Sequence, residues 1–381
     1  MTIVFPHHDA RLGPRRRRPL FKDWHRPGAY CKVEELLAPV MGAEDTPQTN
    51  ASPSTQLMRL LWPGGVAVQA IHVAAKLGLA DLLAAGPKSV VDLSEATRMN
   101  GTSLARFLRA LTSLGIFAED TSGRYCQTPL SAALRADHPE SIRPLAMMLG
   151  ARFIWEPVGW LDESIRTGQA AFERVHSAPF FRHLAENPED AAVFNAAMSS
   201  MPSYIAGIVE AYDFSKFRRI VDVGGGHGAL LAAILEANPQ TRGVLQDLPP
   251  VVAGASALRR DGIADRCELV AGDFFDGIPD GGDAYLLKGI IHDWNNEAAV
   301  EILRNCRRAI RPDGTLILVD TVLTGSDDPE RALMDLLMMV VTGGRERTAL
   351  EFRWLLQEAG FSLTRVITST RGHSILESRP V

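Results

Sequence analysis

Cysteine is scarce in this chain of 381 residues, and the four present, Cys31, Cys126, Cys267 and Cys306, show no C-x-x-C spacing. Disulfide frameworks and thiolate zinc sites need clustered cysteines, so reduced thiols in a cytoplasmic protein are expected, and no metal. Long apolar runs are also missing. None nears the ~20 residues that cross a bilayer, so membrane insertion is not expected. A basic excess is missing as well: 40 Lys and Arg against 45 Asp and Glu leave a net charge of −5. Nucleic-acid binders depend on a positive field, so no nucleic acid is expected as partner. The one strongly basic stretch, "RRRRPLFKDW" from Arg15, is followed by polar residues rather than an apolar run. It reads as a solvated extension, not an export signal.

Hydrophobic residues make up 46% and charged residues 22%, an ordinary globular balance over a length that suits two or three domains. Residues 1–56 read as a flexible extension ending in the linker "GAEDTPQTNASPSTQ". Residues 57–135 carry helical signals and then a short hairpin. "AIHVAAKLGLADLLAAG" reads as one helix. In "NGTSLARFLRALTSLGIF" either Thr102 or Ser103 is expected to cap a helix burying Leu104, Phe107, Leu108 and Leu111. "AEDTSGRYCQTPLS" then turns at Ser122-Gly123. Helices plus a small hairpin make an all-α winged-helix pattern. Residues 136–212 read as a helical connecting segment with an aromatic and methionine series, including Trp160, Phe180, Phe181 and Met198.

Residues 213–381 alternate apolar strands with helix-length segments: "RIVDV", "GVLQD", "CELVAGD", "AYLLKGII", "TLILVD", "SLTRVI" and "SILES". That rhythm predicts an α/β domain with a Rossmann-like, doubly wound, mostly parallel sheet of seven strands. The last two runs are close enough to form an antiparallel hairpin.

"VDVGGGHGALLAAIL" is strand, glycine turn, helix. Gly224, Gly226 and Ala229 fit G-x-G-x-x-G/A, and Asp247 stands where a ribose-binding acid belongs. A dinucleotide and S-adenosylmethionine both use such a loop. Their charges differ. A pyrophosphate would be repelled by Asp222, Asp247 and Asp273 at three consecutive strand ends, whereas ribose hydroxyls, an ammonium and a sulfonium would be welcomed. S-adenosylmethionine is therefore the expected cofactor. "LLKGIIHDWNNE" adds Lys288, which an apolar strand has no use for unless a ligand or partner meets it, and His292 at the strand's carboxyl end, where α/β sheets bind ligands. His292 reads either as a general base or as a polar strand end, with Asp293 or Asn295 capping the next helix.

The order of "VDVGGGHG", "LQDLPPVV", "AGDFF", "LLKGIIHDWNNE" and "TGGRERTALEF", together with the wing segment "RYCQTPLS", resembles the class I small-molecule O-methyltransferases over residues 57–381. These include the plant caffeate and flavonoid enzymes and their bacterial polyketide and carotenoid relatives. The resemblance implies a methyltransferase domain at 213–381 and a winged-helix dimerisation domain at 57–135, hence a homodimer. It implies an S-adenosylmethionine-dependent O-methyltransferase acting on the hydroxyl of a small, phenolic secondary-metabolite acceptor. Gly224, Asp247, Asp273, Phe274 and Lys288 correspond to cofactor contacts, and His292 to the catalytic base. Asp320 and Glu346 correspond to the carboxylates beside that base, Asp320 being one methylene shorter than the glutamate of the plant enzymes. Met198, Asp293 and Met338 correspond to acceptor-pocket positions. Read without the resemblance, Glu346 would be a surface partner of Arg345 or Arg347.

Two other readings stand beside this one: the same scaffold running N-methylation or hydroxylation, and a winged-helix DNA-binding regulator that senses S-adenosylmethionine. The second wants a basic recognition helix, but "TSLARFLRALTSLG" offers only Arg106 and Arg109.

Overall fold

The computed structural model describes residues 2–4, 52–200, 202–325, 328–368 and 373–381. The basic stretch from Arg15, Cys31 and most of the expected linker lie outside them. The linker's last residues are not linker. Ser52 accepts the N–H of Thr55 at 3.2 Å and caps a helix over Pro53–Leu61.

Helices Gly64–Lys76, Leu79–Leu82, Val90–Thr97 and Gly101–Ser113 follow, then strands β2 (Phe117–Glu119) and β3 (Tyr125–Gln127), paired antiparallel. The expected single helix from Ala70 is broken at Gly78, where the backbone turns left-handed before Leu79. The last helix is capped by Asn100, whose Oδ1 accepts the N–H of Ser103 at 3.0 Å, and not by Thr102 or Ser103. Asn100 is the last non-helical residue, the position from which a side chain reaches a free N–H. Its buried stripe is Leu104, Leu108 and Leu111, with Phe107 at the edge. Each buried leucine stabilises the unit by roughly 1.5–3 kcal/mol. Lys88 bridges to Tyr125 beside the hairpin.

Between 136 and 212 every element is a helix. The sheet follows. All seven expected strands are present: β4 (Arg219–Val223), β5 (Arg242–Asp247), β6 (Cys267–Ala271), β7 (Ala284–Lys288), β8 (Thr315–Asp320), β11 (Phe361–Thr368) and β12 (Ser374–Pro380). The order is β11-β12-β8-β7-β4-β5-β6, parallel from β8 to β6, with β11 and β12 antiparallel. Thr2–Val4, β1, adds an antiparallel strand on β11. Two further short strands, β9 (Val322–Leu323) and β10 (Arg347–Thr348), pair in parallel outside the sheet.

β4, β5, β7 and β8 alternate their side chains between two cores, which is why β7 reads as a continuous apolar run. Tyr285 and Leu287 face helices Asn296–Ala309 and Ala349–Glu358; Ala284 and Leu286 face helices Pro202–Ala211 and Ala229–Ala237. The strand order reverses at β4, flanked by β5 and β7. Such a reversal opens a crevice at the carboxyl ends of the strands, and both glycine loop and histidine lie there.

Candidate active site

The glycine loop leaves β4 directly above Asp222. That carboxylate is 1% exposed, and neither of its oxygens has a hydrogen-bond partner. Burial pushes it up to about 7, with the ammonium of Lys288 opposing. Burial in turn lowers the pKa of Lys288, against the pull of Asp222, Asp320 and Asp293. Gly224 takes a φ of 66°, and a methyl group there would lie 2.6 Å from Ile290 and 3.4 Å from Phe274. Only glycine fits. Gly224, Phe274 and Ile290 therefore meet in one wall.

Asp247 ends β5. One oxygen accepts the N–H of Gly226 at 2.8 Å and the other that of Leu248 at 2.7 Å. Burial raises its pKa while the two amides hold it down. A carboxylate oxygen has two lone pairs, so Asp247 keeps capacity for further donors. Asp273 lies two residues beyond β6 and accepts the N–H of Phe275 at 2.9 Å, fixing the turn that presents Phe274. The ring of Phe274 meets Trp294 edge-on at 6.0 Å, and Trp294 stacks on Phe181 at 5.5 Å. An unpartnered buried carboxylate, a second one on the loop and an aromatic wall suit a cationic adenosyl donor and would oppose a pyrophosphate.

On the other side of Lys288 the chain leaves the sheet. His292 is not on the strand itself but on the single 3-10 turn Ile291–Asp293 beyond it. Asn295 caps the helix Asn296–Ala309 by accepting the N–H of Ala298 at 2.9 Å, which frees Asp293 from that task. Nδ1 of His292 lies 2.9 Å from Oε1 of Glu346, and Nε2 lies 3.8 Å from Oδ1 of Asp293. Burial opposes charge on the imidazole, but Asp293, the hydrogen bond to Glu346 and the charge of Asp320 outweigh it and raise the pKa to about 10. Burial likewise takes Asp293 to about 6, with the imidazolium opposing.

Glu346 has no exposure to solvent. The surface-partner reading of it fails: Arg345 pairs with Glu351 at 2.6 Å, and Arg347 is buried among backbone carbonyls. Two contacts lay its segment against the histidine turn, and a third ties it to a helix. Arg345 donates its N–H to the carbonyl of His292 at 2.8 Å. Gly344 passes so close that a methyl group would lie 2.0 Å from that same carbonyl. Asp335, on helix Pro329–Val341, accepts the N–H of Glu346 at 2.7 Å.

Asp320 ends β8 buried, with neither oxygen hydrogen-bonded and burial pushing it up to about 7. The two carboxylates do not share the imidazole: Glu346 takes the hydrogen bond, and the shorter Asp320 acts through its charge. Met338 is half-buried on the helix that carries Asp335. Met198 is 39% exposed at the last turn of helix Pro188–Met198, and none of the contacts just described involves it. Sequence reasoning passed over Gly344, Asp335 and Arg347. The first and last were signalled by the glycines and paired arginines around Glu346. Nothing marked Asp335. Tyr204 was missed too; its ring lies 5.8 Å from Nζ of Lys288.

Residues 159–362 match the O-methyltransferase domain, and residues 58–137 match the O-methyltransferase dimerisation domain. The chain is 40% identical over 339 residues to phenazine O-methyltransferase of Lysobacter antibioticus, covering 88% of this chain and 98% of that one. It is 38% identical to the mitomycin biosynthesis 6-O-methyltransferase of Streptomyces lavendulae, covering 81% and 89%. Among solved structures it resembles an O-methyltransferase from neocarzinostatin biosynthesis in complex with S-adenosylmethionine and 2-hydroxy-5-methyl naphthoic acid. That likeness has a TM-score of 0.73 and 33% identity, and covers 83% of this chain and 96% of that one.

Proposed function

The chain belongs to the O-methyltransferase family, and on that premise we propose which residues do the work and on what acceptor. It is an S-adenosylmethionine-dependent O-methyltransferase. The acceptor is a small aromatic secondary metabolite bearing a phenolic hydroxyl. The observation that carries this reading is the 2.9 Å bond from Nδ1 of His292 to a fully buried glutamate. It assigns one ring nitrogen to orientation and leaves Nε2 to meet an acceptor.

S-adenosylmethionine supplies a methyl group already activated on a sulfonium. Gly224, Asp247, Asp273, Phe274 and Lys288 would hold it, with Asp222 as the buried countercharge. Alignment of two bound partners is worth ~7–11 kcal/mol, and that is the main task of the crevice. His292 removes the acceptor's proton as its oxygen loses electron density. The carboxylates around His292 raise the basicity of its imidazole, which brings the neutral ring closer to a phenol of pKa ~10 and lowers the cost of the proton transfer. Glu346 holds the ring tautomer and stabilises the imidazolium that forms on His292. Asp293, beside Nε2, and the side chains of Met198 and Met338 line the acceptor's side.

Residues 57–135 form the self-association unit, 136–212 connect, and 213–381 bind the cofactor. Leu57, Met58, Leu60, Leu61 and Trp62 are all at least half exposed, and helix Pro53–Leu61 buries nothing within its own protomer. A second copy covers this face, giving a homodimer. No single helix among the described residues is long and apolar enough to cross a membrane.

The test is to incubate the protein with S-adenosylmethionine and a panel of phenols, and to follow mass. A gain of one methyl on a hydroxyl, with accumulation of the demethylated cofactor, is expected. Turnover only of amines would contradict the acceptor assignment.

A further inference from the structure

Arg347 is sealed from solvent at 0% exposure. A buried guanidinium usually serves a carboxylate. Here it does something else. Nη1 donates to the carbonyl oxygens of Ile291 at 2.8 Å and Arg345 at 3.2 Å. Nη2 donates to the carbonyl of Trp294 at 2.7 Å and to Oδ1 of Asn296 at 3.0 Å. Nε donates to the same Asn296 oxygen at 3.2 Å. All five hydrogens are spent on neutral oxygens.

The choice of oxygens matters. Ile291 and Trp294 bracket His292 and Asp293, so the fork grips the 3-10 turn on both sides of the imidazole. Arg347 is also the residue after Glu346. One rigid plane thus joins the two segments whose side chains make the 2.9 Å contact between Nδ1 and the carboxylate. Those segments are 54 residues apart in sequence. The backbone bond from Arg345 to His292 and the approach of Gly344 bring them together. The guanidinium spans the turn from Ile291 to Trp294.

We propose that Arg347 is a positioning residue for methyl transfer: its fork fixes the histidine turn against Glu346 and so aims Nε2 of His292 at the acceptor. This rests on the reading of His292 as the base. A lysine here would keep the charge but offer its hydrogens from one point, and it cannot bond Ile291, Trp294 and Asn296 in one plane.

The experiment is a double-mutant cycle on the full chain. Arg347→Lys is expected to lower kcat by roughly 10–100-fold, with acceptor KM and calorimetric S-adenosylmethionine affinity within about threefold of native. In the His292→Gln background the same change should cost less than about twofold, because a missing base cannot be misaimed. If His292→Gln alone leaves turnover intact, the base assignment falls and this inference with it. If His292→Gln lowers turnover and Arg347→Lys still multiplies the loss in full, the guanidinium does not act through His292 and the proposal is overturned. If Arg347→Lys fails to bind S-adenosylmethionine, Asn296→Ala decides. It removes two of the five bonds and should lower kcat roughly 3–10-fold, again only when His292 is present. A native kcat in Asn296→Ala would count against the proposal.

Discussion

Nδ1 of His292 and Oε1 of Glu346 lie 2.9 Å apart across two loops, and the carboxylate has no access to water. A charge-assisted hydrogen bond in that setting does two things. It fixes the ring's tautomer and orientation, and it favours the protonated imidazole. Replacing Glu346 with Gln keeps an acceptor for Nδ1–H but removes the charge. Glu346→Gln should lower kcat roughly 10–100-fold, less than loss of the base itself. Steady-state kinetics at saturating cofactor measures it.

The raised pKa of His292 sets the pH dependence. At neutral pH the imidazole is protonated in the free protein and a phenolic acceptor is neutral, so the reacting pair must shed one proton. kcat/KM should climb about tenfold per pH unit above 7 and level near the histidine's value of about 10. In Glu346→Gln the limb should shift to lower pH. A native profile that levels near the ordinary histidine value of ~6.5 would show that the carboxylates do not hold the ring charged.

Asp320 is a buried carboxylate with no hydrogen-bond partner. Burial raises its folded-state pKa from 3.8 to about 7. The folded protein therefore holds this proton more tightly than the unfolded chain. The associated stability is present below pH ~4 and is lost as pH rises through about 7. Asp320→Asn removes the ionisation. Its Tm should exceed native at pH 8, and that advantage should shrink toward pH 4. An amide is still under-satisfied there, so the gain is on the order of 1–2 kcal/mol rather than the full cost of a buried charge. Activity should fall less than in Glu346→Gln, since Asp320 makes no bond to the ring. Thermal scans across pH check the first point.

The uncovered apolar face of helix Pro53–Leu61 predicts self-association. Light scattering should give about twice the chain mass, and truncation of residues 1–50 should not change it. Leu61→Asp with Trp62→Asp should yield a smaller species.

The sequence announced the sheet because its central strands β4, β7 and β8 are buried on both faces and read as apolar runs. The glycine loop was legible for a similar reason: only glycine tolerates the wall formed by Ile290 and Phe274. The break at Gly78 was not, since helical periodicity on both sides masked it. Asn100 was overlooked as a cap because Thr102 and Ser103, equally good capping types, stand nearby. In the site, Lys288 and His292 stood out as polar residues closing an apolar strand. Which carboxylate holds the imidazole was not legible. That depends on Gly344 and Arg347 drawing a distant loop against the histidine turn, a tertiary contact with no local periodicity. Asp335 shows the limit most plainly: an aspartate on an amphipathic helix looks like any solvated residue until the N–H of Glu346 is seen to rest on it.

The central claim is that His292 takes the proton. Single-turnover transfer in His292→Gln, with S-adenosylmethionine bound beforehand and a phenolic acceptor added, tests it most directly. Glutamine keeps approximate size and hydrogen bonding but cannot accept the proton. The account predicts a loss of ~10²–10⁴ in the transfer rate, with cofactor affinity unchanged by calorimetry. Transfer at the native rate would contradict it and leave His292 as a structural residue of the turn beyond β7.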